Sequence, residues 1–299
     1  MNMLDRRHFL AAGAAFAAAA CTRASAPDPG ADAAADSARL EAIRATLGPG
    51  GRLGVAAIDT GSGRELLFDA GSRYAMASTF KLPLAAAVLD LADKGKLSLE
   101  EKLPFPPGKP VAHSPMAERY GSEGGLSAIR LCSAIVELSD NGAANMLLER
   151  IGGPEALTRF IRGHGDPVTR LDRVETELNS NLPGDPRDTT TPAAMARLVR
   201  TLVLGDSLAE QSRRHLSTWL TKSVPGPDRL KAGFPAPPWL VGHKTGTGAN
   251  GAVNDVAVAW RSGKPPVVIA CYQSGGDADR PTRSAAHAAV GRLVAEAFA

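Results

Sequence analysis

The chain has 299 residues, with 34 Lys and Arg against 31 Asp and Glu, 44% apolar residues and 3 Cys. A length of this order can bury a substantial core in one large domain or two smaller ones, and the ordinary charged and apolar fractions exclude a disordered chain or a coiled coil. The net charge of +3 comes without any block of basic residues, which leaves no footprint for nucleic acid or an anionic membrane, and Cys21, Cys132 and Cys271 are too widely spaced for a structural zinc site.

Residues 1–26 read as an export signal. Asp5-Arg6-Arg7-His8-Phe9-Leu10 is charged, the Ala-rich apolar run that follows ends at Ala20, and that run is too short to span a bilayer. The paired arginines resemble a twin-arginine signal, with an ordinary secretory signal as the alternative, and either predicts a protein of the periplasm or cell envelope. Two processing sites follow, Ala18-Ala19-Ala20-Cys21 and Ala24-Ser25-Ala26. Cys21 is therefore either the lipid-bearing first residue of an anchored protein or part of the discarded peptide. Cleavage after Ala26 removes Asp5, Arg6, Arg7 and Arg23 and brings the mature chain close to neutrality.

Pro, Gly, Ala and Asp at 27–35 predict a flexible linker. Leu40, Ile43 and Leu47 then recur at helical spacing before Gly48-Pro49-Gly50-Gly51. Leu53–Asp59 and Glu65–Asp69, separated by Thr60-Gly61-Ser62-Gly63, predict a hairpin. From about Thr79 to Leu220 helical periodicity dominates, broken by Pro- and Gly-rich loops at 104–115 and 163–192, and then three strands (240–245, 252–260, 266–272) precede a helix from about Arg283 to Phe298. Strands at both ends with helices between predict an α+β fold. Residues 36–70 and 221–299 form one lobe in this reading, 71–220 a helical lobe, and the seam between them a cleft.

Three short motifs stand out. Ser78-Thr79-Phe80-Lys81 opens an apolar helical run, and a spacing of three puts the Lys ammonium within reach of the hydroxyl. Ser139-Asp140-Asn141 divides two helical stretches, and His243-Lys244-Thr245-Gly246-Thr247-Gly248 ends an apolar strand. Each has a plain alternative, helix capping for the first two and a strand-end turn for the third. Gly246–Gly251 also fits Gly-x-Gly-x-x-Gly, but a strand-like alternation follows where a dinucleotide site needs a helix.

In the order Ser-x-x-Lys, Ser-Asp-Asn, Lys-Thr-Gly these motifs resemble the signature of serine β-lactamases and penicillin-binding proteins. Arg173-Val-Glu175-Thr-Glu177-Leu178-Asn179 with the later Asp188-Thr189-Thr190 is similar to the Ω-loop of the class A β-lactamases, here at about 171–188. The resemblance runs from the first hairpin to the last helix and implies a β-lactamase/transpeptidase-like α+β fold. It implies hydrolysis of penicillin- and cephalosporin-type β-lactams through a serine acyl-enzyme, with antibiotic resistance as the consequence, by a monomer that needs no metal or other cofactor. A peptidase of the cell wall shares the three motifs but is not expected to carry the Glu175 loop. A penicillin-sensing domain would adjoin a transmembrane segment.

The resemblance implies Ser78 as nucleophile, Lys81 or Glu175 as the base for acylation, Glu175 as the base for deacylation with Asn179 holding the water, and Ser139 as proton donor to the lactam nitrogen. Lys81, crowded by Lys244 and buried, is expected to have a lowered pKa. Asn141 would hold the substrate's side-chain amide, and Lys244, Thr245, Gly246 and Thr247 would line the carboxylate site, with Arg229 as a second cation. The backbone N–H groups of Ser78 and Thr247 would form the oxyanion hole. Arg173 and Asp188 should pair, and Asn145 should fasten the loop backbone near Glu175. His113 stands where an aromatic residue is common in the family. Ala77, Gly248 and Ala85 remove the partners of disulfides known in some members, leaving Cys132 and Cys271 as buried thiols.

Overall fold

The structure, a computed structural model, describes residues 29–299. The export signal and Cys21 lie outside the described residues.

Helix α1 (Pro29–Ala45) leads into strands β1 (Arg52–Asp59) and β2 (Glu65–Phe68) and a short strand β3 (Tyr74–Ala75). Helix α2 (Lys81–Asp93), strand β4 (Lys102–Pro104), helix α3 (Pro115–Tyr120), strand β5 (Gly125–Ser127) and helices α4 (Ala128–Glu137), α5 (Asn141–Ile151) and α6 (Gly153–Gly163) follow. A long loop carries the two-residue strand β6 (Thr189–Thr190) before helices α7 (Pro192–Val199) and α8 (Glu210–Thr221). Strands β7 (Trp239–Thr247), β8 (Val253–Arg261) and β9 (Lys264–Ser274) and helix α9 (Arg280–Ala297) complete the chain.

The fold is α+β. Five strands form one antiparallel sheet in the order β2-β1-β9-β8-β7, so the amino-terminal hairpin lies beside the carboxy-terminal meander. Both faces are covered, which explains why these antiparallel strands are apolar almost throughout. Along β1, Leu53, Val55 and Ala57 point into a core shared with α1 and α9, while Ala56 and Ile58 point into the larger core beneath the helical region. Val256 and Val258 of β8 and Val268, Ala270 and Tyr272 of β9 share that larger core with α2, α4, α5, α7 and α8. Edge strand β7 packs against α8 and against the turn that carries Ser78, and so sits on the cleft.

One expectation is corrected: α1 begins at Pro29, so most of the segment read as a linker is helical. Proline is tolerated in the first helical turn, and Ala33, Ala34 and Ala35 are the strongest helix formers, so the composition that suggested flexibility propagates the helix instead. The hairpin, the three late strands and the terminal helix occur where expected, with bounds within three residues of those read from the sequence.

Candidate active site

Ser78 sits in a single 3-10 turn, Ala77–Phe80, that runs directly into α2. Ala77 holds a left-handed φ of 44°, a strained conformation for a residue with a Cβ, and this sharp entry presents the next side chain to the cleft. Ser78 makes no capping bond at that helix start, so the capping alternative does not hold for it. Lys81 is the first residue of α2, and its Nζ lies 3.0 Å from Ser78 Oγ. The fully buried ammonium also donates to the Ser139 carbonyl at 2.8 Å and to Asn141 Oδ1, and pairs with Glu175 Oε1 at 2.8 Å.

Ser139 adopts φ 62°, and this left-handed turn aims its carbonyl at one lysine and its hydroxyl at the other, Lys244 Nζ lying 2.9 Å from Ser139 Oγ. Capping does describe the middle residue of this triplet. Asp140 caps α5 by accepting from the Ala143 N–H at 2.8 Å and also accepts from the Met116 N–H at 2.7 Å. Asn141 is held from the far side by its Nδ2, which donates to the Ala112 carbonyl at 2.8 Å. The neighbouring His113 is exposed and fixed by Nε2 against the Leu138 carbonyl at 2.9 Å.

Glu175 reaches the same point from the 171–188 loop, with Oε1 3.4 Å from Ser78 Oγ. Its second oxygen accepts from Asn179 Nδ2 at 2.6 Å. Asn145 grips the Glu175 backbone on both sides, Nδ2 donating to the carbonyl and Oδ1 accepting the N–H, each at 2.9 Å. The loop ends are closed by Asp188, which accepts from Arg173 Nε at 2.6 Å and from the backbone N–H groups of Asp172 and Arg173 at 2.7 and 2.9 Å. Asp188 itself is left-handed at φ 57° and wholly buried.

The opposite wall is β7. A Cβ on Gly246 would lie 2.7 Å from the Met76 carbonyl and 3.2 Å from the Ser78 nitrogen, so only glycine lets the strand come this close to the nucleophile's turn. Arg229 is not a solvated surface residue: at 2% exposure its guanidinium donates to the carbonyls of Gly246 and Asn254 and to Thr247 Oγ1, at 2.9, 2.8 and 2.7 Å. Thr245 is buried, and its carbonyl accepts from Lys244 Nζ at 2.8 Å.

Burial holds the Lys81 pKa below that of a free lysine, while the charge of Glu175 and its hydrogen bond oppose the shift. The pKa of Lys244 is driven well down too, by burial first and then by the like charge of Lys81, with Asp255 opposing. Lys81 and Lys244 both reach Ser139, and Arg229 reaches Thr247 on the strand that carries Lys244, so three basic side chains border the cleft, an arrangement suited to an anionic substrate.

Sequence reasoning passed over Asn254, Asp255 and His243, which tie this wall together. Asn254 Nδ2 donates to the Ala75 and Met76 carbonyls at 2.9 and 3.1 Å, just before the nucleophile, and Asp255 meets the His243 ring at 3.0 Å. The available signal was two consecutive polar residues within an otherwise apolar strand. Also missed was a reciprocal clasp in which Asn181 Nδ2 donates to the Asn250 carbonyl at 2.8 Å and Asn250 Nδ2 donates to the Ser180 carbonyl at 3.0 Å, fastening the loop to the β7–β8 turn. Cys132 and Cys271 are buried free thiols.

A model of the β-lactamase enzyme family matches residues 37–298. The chain is 42% identical over 300 residues to β-lactamase AST-1 of Nocardia asteroides, covering 98% of this chain and 96% of that protein. It is 40% identical over 249 residues to β-lactamase CTX-M-8 of Citrobacter amalonaticus, covering 83% and 85%. Among solved structures it superposes on an ancestral class A β-lactamase with a TM-score of 0.85 at 49% identity, covering 88% of this chain and all of that one. A putative class A β-lactamase from Rhodopseudomonas palustris superposes with a TM-score of 0.84 at 44% identity, covering 88% and 99%.

Proposed function

The chain belongs to the class A serine β-lactamases and hydrolyses β-lactams, conferring resistance to them, and we propose that it does so through an ester formed on Ser78. The observation that carries this reading is Lys81 Nζ in contact with both Ser78 Oγ, at 3.0 Å, and Glu175 Oε1, at 2.8 Å. Two proton-accepting groups that close to each other and to a hydroxyl form one unit. The Ser78 proton passes to the Lys81–Glu175 pair as Oγ bonds to the lactam carbonyl carbon. Backbone N–H groups of Ser78 and Thr247 receive the developing oxyanion. As the C–N bond breaks, Ser139, polarised by Lys244, gives its proton to the ring nitrogen, and the proton taken from Ser78 passes from the Lys81–Glu175 pair to Ser139, which leaves Glu175 free to act again. A water lying between Glu175 and Asn179 then gives its proton to Glu175 and attacks the ester, and Ser78 leaves with a proton returned to its oxygen. Asn141 takes the substrate's side-chain amide, while Lys244, Thr245, Thr247 and Arg229 take its carboxylate.

We also infer export of the chain on the strength of residues 1–26, with Cys21 as anchor point or bystander, to the periplasm or cell envelope, where a monomer would meet its substrate.

The test is Glu175→Ala. General-base assistance supplies roughly 10²–10⁴ in rate, so benzylpenicillin should still acylate the variant and the adduct should outlive the parent's by at least that factor. Intact-mass spectrometry should find the adduct on Ser78. A variant that stays unmodified and turns over at the parent rate overturns the reading and favours a peptidase-type site.

A further inference from the structure

Lys244 and Arg229, which the reading above assigns to the substrate carboxylate, come from different elements. Lys244 lies on β7, and Arg229 precedes the 3-10 turn Leu230–Gly233. Both are buried, and the atoms that receive their hydrogen bonds are neutral: Ser139 Oγ and the Thr245 carbonyl for Lys244, two carbonyls and the Thr247 hydroxyl for Arg229. Something must hold two unneutralised cations together before substrate arrives.

Asp255 on β8 is placed to do it. It is wholly buried, and one oxygen, Oδ2, accepts from both sides: from the His243 ring at 3.0 Å and from the Leu230 N–H at 3.2 Å. His243 is the residue before Lys244, and Leu230 the residue after Arg229. The register pairs Asp255 with Thr245 and Val256 with Lys244, so Asp255 lies on the opposite face of the sheet from the Lys244 side chain; wholly buried, it does not touch substrate and acts through the backbones of its two neighbours. Its negative charge also opposes the effect of burial on both cations. A single carboxylate behind the sheet thus fixes the spacing of the two head groups and supplies the charge they lack.

We propose that Asp255, through His243 and the Leu230 amide, is the positioning residue for recognition of the substrate carboxylate by Lys244 and Arg229. The inference rests on the assignment of those two cations to that carboxylate.

Kinetics with benzylpenicillin and with its methyl ester, which lacks the charge, separate the two claims. Asp255→Asn keeps one oxygen to accept both hydrogen bonds and removes the charge, its NH2 taking the place of an oxygen that has no hydrogen-bond partner. It should raise KM for benzylpenicillin about tenfold or more with kcat within about threefold, leave the ester's constants unchanged, and be partly rescued by Asp255→Glu. Should Asp255→Asn fail to fold by circular dichroism, His243→Gln, which leaves the charge but loosens its tie to β7, should show the same acid-selective rise in KM. Equal effects on acid and ester, or none on either, overturn the proposal. Lys244→Ala is the control on the premise: a loss no greater for acid than for ester removes the carboxylate assignment itself, whereas an acid-selective loss there without one at Asp255 removes only the inference.

Discussion

At the residue scale the strongest local effects come from burying groups that can carry charge. Lys81 and Lys244 are kept within reach of each other by the opposed directions of the Ser139 carbonyl and hydroxyl, an arrangement that one left-handed residue creates. His287 on α9 is a second case, within reach of the charges of Arg229 and Asp255. It is fully buried, its Nε2 meets the Val253 carbonyl at 3.0 Å, and burial pushes its pKa down to about 4 from 6.5. The folded state therefore keeps His287 neutral where the unfolded chain binds a proton. Its contribution is complete above pH 6.5 and is lost as pH falls towards 4, amounting to roughly 3 kcal/mol over that window. His287→Met should be less stable at pH 7, through the lost hydrogen bond, yet its melting temperature should fall less steeply than the parent's between pH 6.5 and 4. Parallel slopes would show that His287 does not titrate with unfolding.

At the element scale, the loop that carries Glu175 has little regular structure and is held by its ends and its backbone. Asp188 accepts three hydrogen bonds there, only one of them from the Arg173 side chain. The two halves of the pair are therefore unequal. Asp188→Ala leaves a part-buried guanidinium with Ser180 alone and strands two backbone N–H groups, at a cost of about 3 kcal/mol, whereas Arg173→Ala leaves the carboxylate with two donors and should cost less. Thermal melts should rank them in that order, and turnover of good penicillins should follow the same ranking because Glu175 shifts with the loop. Asp188→Asn, which tolerates the left-handed φ and still accepts a backbone N–H, should recover most of the stability. Equal melting temperatures for the two alanine variants would show that the backbone bonds to Asp188 carry no weight.

At the scale of the whole molecule, the sheet is a plate between two cores, and β7 is where it meets the helical region. A Cβ on Gly242 would come within 2.9 Å of both the Leu220 Cβ and the Thr221 backbone nitrogen, so α8 lies directly against the strand with no room to yield. Gly242→Ala should destabilise by roughly 1–3 kcal/mol through overpacking. Because Lys244 is two residues further along the same strand, kcat/KM for benzylpenicillin should fall as well. Calorimetry and steady-state kinetics check the two effects, and a variant with unchanged melting temperature and rate would mean that the two regions can slide apart freely.

Residues close in the chain revealed themselves in the sequence. Ser78 and Lys81 are three apart, so one turn of helix sets their contact, and the apolar runs at 53–59 and 252–260, bounded by turn residues, showed strands whose faces are both covered. The order of the three motifs and the Glu175 loop sufficed to indicate the chemistry, because those residue types at those spacings have few other uses. The tertiary structure decided what depends on distant segments meeting. Ser78 meets Glu175 across 97 residues and Ser139 meets Lys244 across 105, and the register of β7 against β8 determines that Asp255 stands opposite Thr245 and meets His243. Local periodicity reports only a residue's own element, so it cannot say that Arg229 is buried or that the linker-like segment before Ser37 continues into a helix. Those outcomes are set by which surface each segment packs on, and that is a property of the assembled sheet and helices rather than of any one stretch of chain.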